Sequence, residues 1–299
     1  MEQLKNQDIL ISSEFKRKSV YSKRSKSSIG STILFIVLII VALIQLYPLI
    51  WLLLVSFKNN AEIFGGNVLG IPKVWRIENY KNAFVGAKVG IYFVNSLIVT
   101  AVTIIISDIL IATSSYAIMR MRWKYSKLTL TIFLLGMMVP IHSTLLPLFI
   151  ILNKLGIYNT YWALIIPYVA FALPMGIFVM AGFVKGIPFE LEEAACIDGC
   201  SIYQTFFKII VPLLKPSLAT VSIFTYLTCW NELMFANTFI NSPKLKTLTV
   251  GIMSMAGQYT TDWGPIVAGL VIATLPTILI YIPLSNQVQK SLMAGAVKG

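Results

Sequence analysis

Residues 29–57, IGSTILFIVLIIVALIQLYPLIWLLLVSF, form a run of 29 residues without a charged side chain. About 20 apolar residues are enough to cross the hydrocarbon core of a bilayer. A secretory signal has a shorter apolar region of roughly 7–15 residues and an A-x-A-like cleavage site, and no such site follows this run. The run therefore predicts a retained transmembrane helix.

The composition of the whole chain agrees with this prediction. Its 299 residues are 57% hydrophobic and only 12% charged, and its mean hydropathy is +0.79. An average soluble domain carries about 25% charged residues, so this chain has too few polar side chains to cover a soluble core of its size. The composition predicts an all-α integral membrane protein with several transmembrane helices.

The net charge of +12 comes from 24 basic and 12 acidic residues. A basic chain can indicate nucleic-acid binding, but here the basic side chains lie beside the apolar runs. Seven of them precede the first run, and four more lie within residues 120–127. Such placement is typical of the cytoplasmic side of a membrane protein, so we expect no nucleic-acid partner.

Further apolar runs predict six transmembrane helices in total, with Tyr161 and Trp162 as interfacial anchors of the fourth. The predicted spans are residues 29–57, 89–119, 128–153, 155–184, 213–235 and 264–289. Six spans place both termini on one side. The termini and even-numbered loops carry 16 Lys and Arg, against 8 in the odd-numbered loops, so the positive-inside rule predicts two cytoplasmic termini.

This orientation predicts the organisation of the chain. Residues 1–28 form a flexible basic cytoplasmic arm, and residues 58–88 form an extracytoplasmic loop long enough to touch a partner. Residues 89–289 form a five-helix core, and within it residues 185–215 form a long cytoplasmic segment. Residues 290–299 form a cytoplasmic tail.

The cytoplasmic segment of residues 185–215 is patterned as a short capped helix. Pro188 suits the first helical position, acidic side chains suit the helix N-terminus, and Gly199 suits the residue just past the end. A helix of about ten residues is marginal alone, and its acidic side chains suit a protein partner better than anionic lipid. The acidic residues are Glu190, Glu192 and Glu193.

A motif in this segment carries a family resemblance. Glu193-Ala194-Ala195, three residues, Gly199, nine residues, Ile209, one residue and Val211-Pro212 resemble the EAA loop of binding-protein-dependent ABC transporter permeases. The family pattern is E-A-A-x3-G-x9-I-x-L-P, and only Val211 departs from it.

Other short motifs resemble the sugar-importing branch of that family, and together the resemblance covers residues 90–299. The tail is similar to that of the smaller, maltose-type permease subunit, although Ser291 stands where many relatives have Gly. The remaining motifs are Asn95-Ser96, Tyr116-Ala117 with Arg120, Pro140 with Pro147, Trp230-Asn231-Glu232 and Ala294 to Gly299.

The resemblance implies a type I ABC importer permease fold with a cytoplasmic coupling helix that docks in a groove of an ATPase subunit. The implied docking residues are Glu193, Ala194, Ala195, Asp198 and Gly199. The tail residues Gly295, Ala296, Val297, Lys298 and Gly299 are implied to reach toward the ATPase dimer interface.

The same resemblance implies a set of partners in a bacterial cytoplasmic membrane. They are a second permease subunit that completes a heterodimer, two copies of a cytosolic ATPase, and an extracytoplasmic sugar-binding protein. The expected cargo is a sugar, most simply an oligosaccharide. ATP and magnesium are expected in the ATPase, with no cofactor bound by this chain.

The residues themselves argue against catalysis by this chain. No G-x-x-x-x-G-K-[ST] phosphate loop is present, and the sequence contains no Gly-Lys dipeptide. His142 is the single histidine, which excludes an H-E-x-x-H zinc site, and no G-x-S-x-G motif occurs. Cys196, Cys200 and Cys229 have no paired metal-ligand spacing. We expect no enzyme activity and no metal site.

Three ionisable residues in or near predicted spans leave several interpretations open, because intramembrane charges often mark a transport path. As structural residues, Asp108 would pair within the helix bundle, His142 would satisfy backbone groups freed near Pro140, and Glu232 would reach the outer membrane surface. Asp108, together with Trp230, Asn231 and Glu232, supplies groups that could contact a sugar. Alternatively, Asp108, His142 and Glu232 could serve an ion-coupled secondary transporter. That class commonly has paired internal repeats, and we find none in the sequence.

Overall fold

A computed structural model describes the backbone of residues 29–257 and 261–296, and the side chains of residues 30–257 and 261–283. Over these residues the regular structure is helical, and no strand occurs. The all-α prediction is confirmed. The basic arm of residues 1–28 lies outside the described residues.

The described residues form eight principal helices and four short α-helices, and a 3-10 turn, Ile141–Thr144, leads into the fourth principal helix. The short helices are Asn60–Phe64, Glu78–Lys81, Met234–Phe239 and Leu248–Met253. The principal helices are α1 (Ile29–Val55), α2 (Val89–Arg120), α3 (Ser126–Gly136), α4 (Leu145–Lys154), α5 (Trp162–Gly186), α6 (Glu190–Ile197), α7 (Ile202–Trp230) and α8 (Trp263–Ala296).

Five of the described helices, α1, α2, α5, α7 and α8, are long and apolar enough to cross a membrane. The third predicted span, residues 128–153, is not one helix. Its two halves, Ser126–Gly136 and Ile141–Lys154, meet at 92°. Pro140 lies at the break with ψ of 111°, where its missing N–H and its effect on the preceding residue end the first helix. The total is six if the bent pair makes one span.

Two other spans begin at different residues from those predicted. The fourth begins at Trp162 instead of residue 155, because Gly156 and Asn159 adopt left-handed backbone angles of φ 70° and 59°. The fifth begins at Ile202, eleven residues early, because Ser201 and Gln204 exchange backbone and side-chain hydrogen bonds as a capping box. It ends at Trp230 instead of residue 235.

Helix α2 packs closely on α5 and α7. Ile111, Ile177, Met180 and Ile210 from these helices are each 0% exposed and share one apolar cluster. At the other end of α2, the side-chain amide of Asn95 donates to the carbonyls of residues 244 and 246 at 2.8 and 2.9 Å. The Asn95 motif therefore fastens the segment before Leu248–Met253 to α2.

The predicted outer loop, residues 58–88, is organised around a buried lysine. Lys58 is 0% exposed, and its ammonium donates to the carbonyls of Asn67, Val68 and Gly70 at 2.6, 3.2 and 2.6 Å. The side chain of Asn79 donates to the Lys58 carbonyl at 2.9 Å. A buried charge needs such partners, and here they hold the loop in one conformation.

The close approach of α5 to its neighbours depends on Gly176. A Cβ atom at this position would collide with Ile111 and lie 3.2 Å from Val221 Cγ1, whereas a Cβ at Gly182 in the same helix would meet nothing within 4 Å. We expect Gly176→Ala to lower the free energy of unfolding by about 1–3 kcal/mol through overpacking. Thermal unfolding of the detergent-solubilised chain measures this loss.

Gly182→Ala is the matched control, because it makes the same change in the same helix without a clash. It is expected to be neutral or stabilising by about 0.5–1 kcal/mol, as alanine favours a helix interior over glycine. Equal destabilisation by the two substitutions would contradict the packing argument.

Candidate functional site

Helix α6 has capped ends that follow from its sequence. Glu190, Glu192 and Glu193 occupy its first turn, where carboxylates complement the N-terminal backbone amides. Gly199 adopts φ of 77°, and its N–H donates to the Cys196 carbonyl at 3.0 Å while the N–H of residue 200 donates to the carbonyl of residue 195 at 2.9 Å. This is a Schellman motif, so the prediction for Gly199 is confirmed, although α6 begins two residues after Pro188.

An ion pair fastens α6 to the end of α2. Arg120 Nε lies 2.7 Å from Glu192 Oε1, and the two side chains are only 10% and 13% exposed. The Tyr116 hydroxyl donates to Glu192 Oε2 at 3.0 Å. Arg120 Nη2 also donates to the Ile187 carbonyl at 2.6 Å. Both ends of the arginine fork are therefore used to hold the chain that leads into α6.

Aromatic contacts extend this joint to α7. The Arg120 guanidinium lies over the Phe189 ring at 5.2 Å from its centroid, within the range of a cation–π contact. The rings of Tyr116 and Phe206 are 5.1 Å apart. Helices α2, α6 and α7 thus meet around one partly buried charge cluster. The sequence alone did not predict that Arg120 pairs with Glu192.

The outward face of α6 is exposed and combines acidic and small side chains. Glu190, Glu193 and Ala194 lie on it, and Ile197 is 86% exposed. Ala195, on the opposite side, is 2% exposed. Of the residues that the sequence predicts for docking, Glu193, Ala194, Asp198 and Gly199 are exposed, and Ala195 instead faces the chain's own interior.

Trp230 is a core residue in this structure. It is 3% exposed, its indole N–H donates to the Ala273 carbonyl at 3.0 Å, and its ring stacks on Tyr226 with centroids 5.5 Å apart. The ring of Phe93 meets it edge-on at 5.6 Å. The indole N–H and the ring of Trp230 are therefore already in contact with other residues of this chain.

Glu232 acts as a local cap. Its carboxylate accepts from the Tyr168 hydroxyl at 2.6 Å and from the backbone N–H groups of Phe235 and Ala236 at 2.8 and 3.0 Å. These amides lie in the first turn of the helix Met234–Phe239, so the carboxylate complements a helix N-terminus. The neighbouring side chain of Asn231 is exposed and donates to the Leu227 carbonyl at 2.8 Å.

The other two ionisable residues have separate partners. Asp108 Oδ2 accepts from the Ser222 hydroxyl at 2.5 Å, which joins α2 to α7. Asp108 Oδ1 is buried and has no hydrogen-bond partner among the described residues. His142 is exposed and stacks on the Phe235 ring at 6.1 Å. Within the described part of the chain, Asp108, His142 and Glu232 form no hydrogen bond or ion pair with one another.

The remaining predicted residues lie at the end of the chain. Gly295 and Ala296 are in the last turn of α8, and Val297, Lys298 and Gly299 lie outside the described residues. Across the residues that are described, no group of three His, Cys, Asp or Glu side chains could hold a metal ion.

Comparisons with known proteins agree with this architecture. The family described as "Binding-protein-dependent transport system inner membrane component" matches residues 108–290. Probable ABC transporter permease protein YurM of Bacillus subtilis is 37% identical to this chain over 276 residues, which cover 92% of this chain and 91% of that protein. Diacetylchitobiose uptake system permease protein NgcG of Streptomyces coelicolor is 33% identical and covers 87% of each chain.

A solved structure shares the fold. A chain of a bacterial ABC transporter involved in the import of the acidic polysaccharide alginate superposes with a TM-score of 0.76 at 22% identity, over 89% of this chain and 98% of that chain. The likeness therefore extends over most of this chain.

The ion pair between α2 and α6 leads to a prediction. Removing the charge of Glu192 should lower the local stability of α6. Glu192→Gln keeps the shape of the side chain but removes the ion pair with Arg120 and weakens the charge-assisted hydrogen bond from Tyr116. We expect a loss of about 1.5 kcal/mol, seen as roughly tenfold faster hydrogen exchange at the amides of α6.

Glu193→Gln provides the control, since that exposed carboxylate is the next residue along and has no such bond within the described residues. Exchange in α6 should be nearly unchanged in this variant. If both variants exchanged equally fast, the ion pair would have no special role in holding α6.

Proposed function

Because the chain belongs to the family of binding-protein-dependent transport system inner membrane components, we propose that it is the permease subunit of an ATP-driven sugar importer. In this proposal a separate cytosolic ATPase supplies the energy, and an extracytoplasmic binding protein delivers the cargo. The observation that carries the proposal is α6, a capped helix with one anchored face and one exposed face.

The exposed face of α6 is suited to docking against a protein. Ala194 has no long side chain to hold a partner away, and Glu193 and Asp198 offer acceptors at the margin of the contact. Ile197, at 86% exposed, supplies apolar area that a partner would remove from water. Ala195 lies on the opposite side of α6 and packs against the interior of this chain.

The anchored face of α6 provides the mechanical link. Closure of the ATPase pair around ATP displaces α6, and the Arg120–Glu192 ion pair passes that displacement to α2. Rigid-body movement of packed helices is a common form of conformational switching. The transmembrane helices would then alternate between inward-open and outward-open states.

Partners complete the assembly. We infer a heterodimer with a second permease, two copies of the ATPase, and a sugar-binding protein that contacts the outer loop of residues 58–88. ATP and magnesium bind the ATPase, and this chain needs no cofactor of its own. The complex lies in a bacterial cytoplasmic membrane, with both termini of this chain in the cytoplasm.

The proposed cargo is an oligosaccharide. Two proteins that are similar to this chain support this cargo. One is a diacetylchitobiose uptake permease, and the other is a chain of an ABC transporter involved in the import of alginate. Among the residues that the sequence assigns to the path, Asn231 exposes an amide side chain. The ion-coupled alternative is not favoured, because Asp108, His142 and Glu232 have separate contacts and the comparisons place the chain among ABC permeases.

A glycine substitution at the end of α6 tests the docking model. Gly199 adopts φ of 77° with open space around it, so Gly199→Val strains the backbone by about 1–2 kcal/mol without a side-chain clash. We expect the tagged variant to insert in the membrane and retain the second permease. The ATPase is expected to be lost from the co-purified complex, and sugar transport with it.

Gly156→Val is the matched control. Gly156 ends α4 in the same type of turn, with φ of 70° and equally open surroundings, but it lies in the loop that the orientation places outside. This variant should keep the ATPase. Full transport by Gly199→Val would overturn the docking model, and recovery of the wild-type chain without an ATPase or second permease would overturn the importer proposal.

The C-terminal tail is proposed to influence the ATPase and not assembly. Deletion of residues 294–299 should leave the amounts of co-purified ATPase and second permease unchanged, while the ATP hydrolysis rate of the complex changes. Quantitative mass spectrometry and a phosphate-release assay measure the two quantities on one sample. An unchanged hydrolysis rate would remove the proposed role of the tail.

A further inference from the structure

A cavity of about 530 Å³ lies between the end of α2 and the chain that leads into α6. Its volume falls within the range of about 300–1,000 Å³ for small-molecule sites. The chain segment from residue 118 to residue 124 forms most of the wall, and Phe189 closes the side next to α6. Neither the docking face of α6 nor the proposed sugar path uses this cavity.

The cavity wall carries positive charge that the described part of the chain neutralises only at Arg120. Arg120, Arg122 and Lys124 all line it. Arg120 is paired with Glu192, but Arg122 and Lys124 are exposed, and neither forms an ion pair with any described residue. Lys124 only lies over the Tyr125 ring, at 5.5 Å from its centroid. Two free cations on one concave surface suit an anion.

The position of the cavity places it at a membrane surface. Helix α2 crosses the membrane and ends at Arg120, and α3 begins again at Ser126. Between them, Trp123 is 40% exposed and Tyr125 is 54% exposed, and such residues favour the interface between water and lipid. The Trp123 indole donates to the Ala117 carbonyl at 2.9 Å, which fixes its ring against α2. The positive-inside rule assigns this surface to the cytoplasm.

The same cavity is joined to α6 through shared residues. Phe189 lines the cavity and lies under the Arg120 guanidinium at 5.2 Å. Arg120 in turn holds Glu192 and the Ile187 carbonyl. An anion bound beside Arg122 and Lys124 therefore rests against the residues that position α6.

We propose that this cavity binds the phosphate-bearing headgroup of an anionic phospholipid from the cytoplasmic leaflet, and that the bound headgroup stabilises the chain leading into α6. Phosphate oxygens accept hydrogen bonds from Arg and Lys, and Arg can bind them with two parallel bonds. Basic pockets between membrane helices on the cytoplasmic side suit lipid headgroups. The interfacial aromatic residues favour a lipid over a soluble phosphate.

The test uses the full chain purified in neutral detergent, so it requires neither the ATPase nor sugar transport. Thermal unfolding is followed by tryptophan fluorescence after addition of phosphatidylglycerol, phosphatidylcholine or soluble glycerol 1-phosphate. Phosphatidylglycerol is expected to raise the unfolding midpoint by about 3–8 °C, as a ligand well above its dissociation constant does for a chain of this size. The other two compounds should leave it nearly unchanged.

Two double variants identify the site. Arg122→Gln with Lys124→Gln should abolish most of the shift. Lys127→Gln with Lys185→Gln removes the same charge from exposed positions that do not line the cavity, and it should keep the shift. Equal loss in both variants would mean general charge attraction, and an equal shift with glycerol 1-phosphate would assign the cavity to a soluble anion. Either result overturns the proposal, as does the absence of any shift with the unsubstituted chain.

A second measurement tests the link to α6 and remains informative if a variant is poorly folded. Hydrogen exchange at the amides of residues 187–200 should slow when phosphatidylglycerol is added to the unsubstituted chain. It should not slow in the Arg122→Gln and Lys124→Gln variant. Lipid-dependent stabilisation with unchanged exchange in this segment would overturn the second half of the proposal.

Discussion

The ion pair between Arg120 and Glu192 determines where α6 sits on the rest of the chain. An eight-residue helix is too short to be stable alone, and most of its surface is exposed. The pair lies 2.7 Å apart and is about nine-tenths removed from water. Partly buried charges are costly unless each has a partner, so the arginine at the end of α2 and the glutamate in the first turn of α6 hold each other in place. Tyr116 and the Ile187 carbonyl complete the arrangement.

Local patterns predicted much of this structure. Apolar runs identified the five long helices that can cross a membrane, the acidic first turn and Gly199 marked α6, and the resemblance identified the family. Contacts between distant residues were not predictable, since Tyr116 and Glu192 are 76 positions apart and no periodicity links them.

The effect of each proline on its helix was equally unpredictable from the sequence. Pro140 ends a helix, whereas Pro167 and Pro174 lie inside the unbroken α5, so tertiary packing decides which proline breaks a span.

The motif Trp230-Asn231-Glu232 illustrates how the fold gives side chains contacts that residue type alone does not predict. An aromatic ring beside an amide and a carboxylate is what a sugar site needs, and the sequence therefore suggested a path. In the structure, Trp230 fills the core against Tyr226 and Glu232 caps the helix Met234–Phe239. In a bilayer no water is available to accept hydrogen bonds from buried backbone N–H groups or from an indole N–H, so these donors need partners within the protein. Of the three side chains, the Asn231 amide alone is exposed.

These contacts also suggest how movement at α6 reaches the other side of the membrane. Helix α2 carries Arg120 at one end and Asn95 near the other, about 38 Å away at 1.5 Å per residue. The Asn95 amide holds the carbonyls of residues 244 and 246, and the Thr249 hydroxyl in the next helix donates to the Glu232 carbonyl at 2.7 Å. Each connection is a hydrogen bond or ion pair between elements that are internally rigid. In the proposed importer, a displacement of α6 would therefore pass along α2 and reach the segment that carries Asn231.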